Sequence, residues 1–201
     1  MATNSINGIH NRSAFLKLLT IFYIILLGGL IILGALFYHN NRAFNNGAAW
    51  VTHTRTVLGH ADSTLLLSQN LQWETRNYTL TGDSNAYQKY FSLRDSIQAN
   101  ATDLIQLVSD NNYQRANAIK LQQQINQLIQ FANGSLQLRE VSGDVMNRFI
   151  INVKQHVALH DAINKQIQLI KSEENRLLAI RRDNVYKTVD VTYRIFIASG
   201  V

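Results

Sequence analysis

Cysteine and proline are both missing from the 201 residues. Without cysteine there is no disulfide framework and no thiol nucleophile, and a zinc site has only histidine and carboxylate to draw on. Without proline no helix loses an N–H donor to a pyrrolidine ring, which suits a chain of long, unbroken helices. Charge is sparse as well. The 19 Lys and Arg against 13 Asp and Glu leave a net charge of +6, and the basic residues are scattered, with no run longer than Arg181-Arg182. No focused phosphate-binding stripe results, so no nucleic-acid partner is expected. The sequence also has no Gly-rich phosphate loop and no nucleophile elbow, so no catalytic residues, no cofactor and no enzyme activity are expected of it. His156 and His160 form the single histidine pair at helical spacing. With no third ligand they read as one face of a helix, and no metal site is expected.

What the chain does have is one long hydrophobic run. Leu18 to Phe37 reads LLTIFYIILLGGLIILGALF, twenty positions without a charge. At about 1.5 Å of rise per residue such a helix spans ~30 Å, the hydrocarbon thickness of a bilayer. The run is too long for the apolar part of a signal peptide, about 7–15 residues, or for a buried core helix, about 10–14. Residues 18–38 are therefore expected to cross a membrane, with Gly28, Gly29 and Gly34 able to admit a second span closely. The tail, residues 1–17, holds Arg12 and Lys17 and no acid, whereas Arg42 is the single charge in residues 38–52. That asymmetry favours a cytoplasmic tail and an extracytoplasmic domain. Apolar character returns at Tyr193–Val201, so residues 191–201 read as the opening turns of a second span, cut off.

Residues 43–190 lie between these segments and are long enough for one core. Their pattern is helical throughout. In the first helix Trp50, Thr54, Val57, Ala61, Leu65, Ser68 and Leu71 recur at steps of three and four. Gly82 suits a C-terminal cap, and Asp83 or Ser84 the N-cap of the next helix. The second helix carries Tyr87, Tyr90, Phe91, Ile97, Ala101, Leu104, Ile105 and Val108, and breaks at Ser109–Asn112. The third buries Ala116, Ile119, Leu121, Ile125, Leu128, Ile129, Phe131 and Leu136, with Asn133-Gly134 tolerated inside it and a break at Ser142-Gly143-Asp144. The fourth has the seam Val153, Val157, His160, Ile163, Ile167, Ile170, Glu174, Leu177 and Arg181.

The first and last helices are each roughly 63–65 Å long and the middle two about 38 and 44 Å. Short connections between such helices predict an all-α, antiparallel up-down-up-down four-helix bundle, its first helix continuous with the N-terminal transmembrane helix. Counting rise from the membrane end puts Glu174, Leu177 and Arg181 level with His53–Leu58. Two polar clusters follow. A basal one holds His53, Thr54, Arg55, Glu173, Glu174 and Arg181, with Glu174 and Arg181 on the seam as a pairing or signal-relay device. An apical one holds Gln72, Arg76, Tyr78, Asp83, Tyr87 and Tyr90, open either to tip packing or to ligand contact.

At these residues the chain resembles the CHASE type 3 sensory domain, an extracytoplasmic module set between two spans in bacterial receptors. Val51, His53, Thr54, Val57 and Leu58 match its opening signature, Arg76-Asn77-Tyr78-Thr79-Leu80-Thr81-Gly82 its central one with Tyr90 following, and Glu174, Leu177, Leu178 and Arg181 its last, with Asp161 upstream. Where the family has Gly after the arginine and Glu four residues before it, this chain has Asn77 and Gln72. The resemblance covers about Ala43 to Asp190. It implies a sensor in the bacterial cytoplasmic membrane, its domain periplasmic or extracellular, working as a homodimer on an unknown small-molecule or protein ligand and feeding a cytoplasmic output such as a histidine kinase. The competing class is a membrane-tethered bundle that binds a partner and has no output domain.

Overall fold

The computed structural model describes residues 4–141 and 145–198, with side chains described for 15–137, 157–195 and 197. Four helices make up the described chain: α1 (Asn4–Thr81), α2 (Ser84–Leu107), α3 (Asn112–Val141) and α4 (Val145–Ala198). Asn133-Gly134 lies within α3, as expected of a glycine that costs a helix only about 1 kcal/mol. The expected break at Ser142-Gly143-Asp144 falls outside the described residues, as do the side chains of Val153 and His156.

Each described break has a local cause. α1 stops where Gly82 takes φ 76°, the left-handed region in which a side chain is strained, and its N–H donates to the Tyr78 carbonyl at 2.8 Å. Asp83 then caps α2 by accepting the Asn85 N–H at 2.9 Å. Asn111 does the same for α3, accepting from the N–H groups of Tyr113 and Gln114 at 3.0 and 3.2 Å.

The chain divides into two units, Met1–Ala48 with Asp183–Val201, and Ala49–Arg182. In the first, α1 carries the apolar run, with Leu18, Ile24, Ile31 and Phe37 all more than half exposed. Among the described residues α1 is the one helix long and apolar enough to cross a membrane. A side chain at Gly47 would collide with Val185, so this glycine lets α1 and α4 approach closely.

The second unit is the bundle. Cross-helix contacts run with opposing residue numbers: His60 with Asn100 and Tyr78 with Tyr87, Tyr90 with Asn133 and Thr102 with Gln122, Gln114 with Glu174 and Asn117 with Gln166, Thr54 with Arg181 and Asp62 with Lys171. Sequence-adjacent helices are therefore antiparallel. The core is Val57, Leu71, Ile97, Leu104, Leu121, Ile125, Leu128, Ile163, Ile167 and Ile170, each 0 or 1% exposed. Burying one such side chain contributes about 1.5–3 kcal/mol.

The inner face of α1 is unusually polar, with Thr54, Thr64, Ser68, Thr75 and Thr79 buried. Four of these hydroxyls hydrogen-bond to carbonyls one turn back, such as Thr75 to Leu71 at 2.7 Å and Thr79 to Thr75 at 2.8 Å. A buried hydroxyl satisfied within its own helix needs no partner across the core.

Two seams follow expectation along most of their length, with Leu121, Ile125, Leu128, Ile129 and Leu136 of α3 and Ile163, Ile167, Ile170 and Glu174 of α4 buried, but depart from it at their starts. In α3 the buried row opens with Gln114 and Ala118, while Ala116 and Ile119 face out. In α4 Val157 is 50% exposed, and the buried row runs from Ile163 to Glu174. Helical spacing leaves the choice of inner face open by a residue or so, and packing against the neighbouring helices decides it.

Candidate functional site

At the basal end Glu174 is 3% exposed, the one buried carboxylate among the described residues. Its Oε1 accepts from Gln114 Nε2 at 3.2 Å, and the same amide donates to the Ile170 carbonyl at 3.0 Å. Its Oε2 is buried without a hydrogen-bond partner, 3.8 Å from Arg181 Nη1. That separation is a charge pairing beyond hydrogen-bond reach. Arg181 is held instead by Thr54, whose Oγ1 accepts from Nη1, and by the Trp50 ring, whose centroid lies 4.4 Å from the guanidinium carbon. Trp50 is in turn edge-on to His53 at 5.3 Å.

The structure thus joins Thr54, Glu174 and Arg181 directly and attaches His53 through Trp50. Arg55 and Glu173 do not join them. With Thr54 pointing inward, Arg55 is turned about 100° away and lies exposed. Glu173 binds Arg176 through both carboxylate oxygens, at 2.7 and 2.8 Å, and this partner holds its pKa below the usual carboxylate value. Gln114 is the member that sequence reasoning missed. It lies in a glutamine-rich helix that reads as a solvated face, yet it is fully buried.

The apical end is built from rings. Tyr78 packs on Tyr87 at 4.7 Å, Tyr87 on Phe91 at 4.9 Å and Phe91 on Tyr90 at 5.3 Å, with the Arg94 guanidinium 5.0 Å from the Phe91 centroid. Tyr90 is fully buried and its hydroxyl donates to Asn133 Oδ1 at 2.7 Å. Burial pushes its pKa up to about 12, against a small lowering by Arg94. Gln72 is buried with its Nε2 unpartnered, whereas Arg76 is exposed, so the two do not form an inward pair. Asp83 is exposed and serves as the cap of α2. Asn133, which sequence reasoning placed in a tolerated Asn-Gly pair, is the acceptor that makes a buried tyrosine affordable there.

Among the described residues no three of His, Asp and Glu cluster to hold a metal ion. The basal end holds a charge couple in which one carboxylate oxygen has no hydrogen bond. The apical end holds a continuous aromatic contact.

A family model described as the CHASE3 domain matches residues 47–184. No curated protein and no solved structure matches the chain.

Proposed function

Because this chain belongs to the CHASE3 domain family, a sensory family typical of signalling receptors, we propose that it is the signal-input part of a bacterial membrane receptor. In this reading the bundle lies on the periplasmic or outer side of the cytoplasmic membrane, and a stimulus acting on it is relayed to a cytoplasmic output, most simply a histidine kinase. The observation that carries the proposal is the order of the chain: a twenty-residue apolar run, Leu18–Phe37, followed at once by a sensory-family match from residue 47.

The basal charge couple supplies a relay. Arg181 rests against Thr54 and Trp50 of α1, 3.8 Å from a carboxylate oxygen of its own helix that lacks a hydrogen bond. A shift of about 1 Å would bring Arg181 and Glu174 to the 2.7–2.9 Å of a charge-assisted hydrogen bond and loosen the hold on α1. Two such packings of α4 against α1 are the kind of bistable element that carries a signal along helices.

Topology tests the reading. A cysteine placed at Ser109, in the exposed α2–α3 turn, is expected to react with a membrane-impermeant thiol reagent in intact cells, with no background from a chain that has no cysteine. Labelling only after lysis overturns it. Reading the coding sequence past Val201 separates receptor from tether: a completed span followed by a kinase or cyclase domain supports the receptor, and a stop codon supports the tether.

A further inference from the structure

Among the described residues six buried side-chain polar atoms have no hydrogen-bond partner, and five of them lie on α3 or α4: Gln114 Oε1, Asn117 Nδ2, Gln124 Oε1, His160 Nδ1 and Glu174 Oε2. The seam between these two helices is polar and underpaired. Its lower part is bridged, by Gln114 to Glu174 at 3.2 Å and by Gln166 to Asn117 Oδ1 at 2.9 Å. Continued up both helices, the same antiparallel register brings Gln124 level with Leu159 and His160. There a cavity of about 600 Å³ opens, lined by Gln127, Gln130, Phe131, Ala158 and Leu159. Gln124, Gln127 and Phe131 are three and four residues apart, so they share one face of α3. Gln127 and Gln130 are exposed, which leaves the cavity open to solvent.

A buried acceptor that lacks a donor carries a desolvation cost, and a ligand that supplies the donor recovers it. None of the five lining residues is charged, so a charged occupant would lose water without gaining a counter-ion. The occupant is therefore neutral. Phe131 and Leu159 give it apolar walls, and a flat ring suits a wall made by an aromatic side chain. Gln124 Oε1 accepts only, so the occupant must bring an O–H or N–H, while His160 Nδ1 donates in the tautomer that carries its proton there. A hydroxyl answers both. We propose that the α3–α4 cavity binds a small neutral aromatic alcohol, its ring beside Phe131 and Leu159 and its hydroxyl turned toward Gln124 and His160. The volume lies within the roughly 300–1,000 Å³ of small-molecule pockets. Neither the apical rings nor the basal couple takes part. Binding requires the bundle alone, whereas its use as an input rests on the receptor reading above, in which α4 carries the disturbance from Leu159 to Glu174, roughly 22 Å along one unbroken helix.

The chain has no cysteine, so Ala158→Cys reports on the cavity and Ser109→Cys, in the α2–α3 turn, is the control. Full chains in opened membranes are treated with a thiol reagent in the presence of β-naphthol, its methyl ether or the corresponding naphthoate. β-Naphthol is expected to slow labelling about tenfold at position 158 and to leave position 109 unchanged. The ether lacks the donor and the naphthoate brings a charge, so each should need about tenfold more for the same protection. Gln124→Leu, added to Ala158→Cys, should erase the preference for the naphthol over its ether. That substitution replaces an unpaired amide by an apolar group of similar size, so the variant is expected to melt at or above the parent.

No protection by β-naphthol up to its solubility means that water fills the cavity, and overturns the proposal. Equal slowing at positions 158 and 109 means partition into the membrane and overturns it too. So does tighter binding of the naphthoate, or a preference for the naphthol that Gln124→Leu leaves intact. Impermeant labelling of Ser109→Cys in intact cells keeps the two readings apart: labelling there without protection at 158 sinks the site and leaves the receptor standing, whereas protection at 158 with position 109 reached only after lysis sinks the receptor topology and leaves the site.

Discussion

At the apical end the fully buried Tyr90 donates its hydroxyl to Asn133 within a packed run of rings, while the amide nitrogen of buried Gln72 has no hydrogen-bond partner. At the basal end the buried group is charged, the Glu174 carboxylate, and one of its oxygens has no hydrogen bond. The first group is neutral and its hydrogen bond is made. The second leaves a charge within about 1 Å of a better partner, and burial makes that deficit costly. An unpartnered charged oxygen costs more than an unpartnered amide, so the larger deficit lies at the basal end.

The comparison is broken most directly at Tyr90. Tyr90→Ala removes a fully buried ring together with its hydrogen bond, and is expected to cost about 4 kcal/mol. Urea unfolding of the solubilised chain, followed by tryptophan fluorescence, measures it. A loss below about 1 kcal/mol would mean that the tip collapses readily around the lost ring.

Glu174→Ala comes next. Removing one partner of a buried pair costs about 3–5 kcal/mol, and because Arg181 keeps Thr54 and Trp50 the expected value is near the lower limit, about 3 kcal/mol. Glu173→Ala is the control, since its partner Arg176 is exposed, and its midpoint is expected to coincide with that of the parent. Equal effects of the two variants would remove the distinction between a buried couple and a surface pair.

The smallest effect is a pH slope. Tyr90 has its pKa raised from 10.0 to about 12 in the folded chain, so between those values the unfolded chain has lost the phenolic proton while the folded chain retains it. Stability from this group is complete below pH 10 and is lost as pH rises toward 12, by roughly 2–3 kcal/mol in total. Tyr90→Phe lacks the ionisation, so the difference between parent and variant isolates it. Parallel stability curves for the two from pH 9 to 12 would show that Tyr90 is not desolvated.

The basal trio and the apical tyrosines are legible in the sequence, whereas Gln72, Arg76 and Asp83 do not join the apical contact and the wiring of either end is not legible. Thr54, Glu174 and Arg181 lie on inward-facing rows, and counting helical rise puts them at one level. Level alone groups Arg55 with them, and a single residue's rotation takes it to the surface. Gln114 gave no signal at all, because a glutamine beside Gln122, Gln123 and Gln124 looks like part of a solvated face. Asn133 looked like a turn residue, and only the approach of Tyr90 from α2 makes it a hydrogen-bond acceptor in a helix.

What the sequence by itself determined is everything that depends on near neighbours along the chain. The absence of proline permits long helices, spacings of three and four give each an inner face, Gly82, Asp83 and Asn111 punctuate them, and twenty uncharged residues make α1 long and apolar enough to cross a membrane. Helical hydrogen bonds join residues four apart, so such signals are complete within a short window. What only the tertiary structure decided is how each helix is turned about its axis and which side chains then meet: Gln114 with Glu174 across 60 positions, Tyr90 with Asn133 across 43, Arg181 with Thr54 across 127. Those pairings depend on rotations of about 100° per residue, which a 3.6-residue period leaves open until neighbouring helices pack.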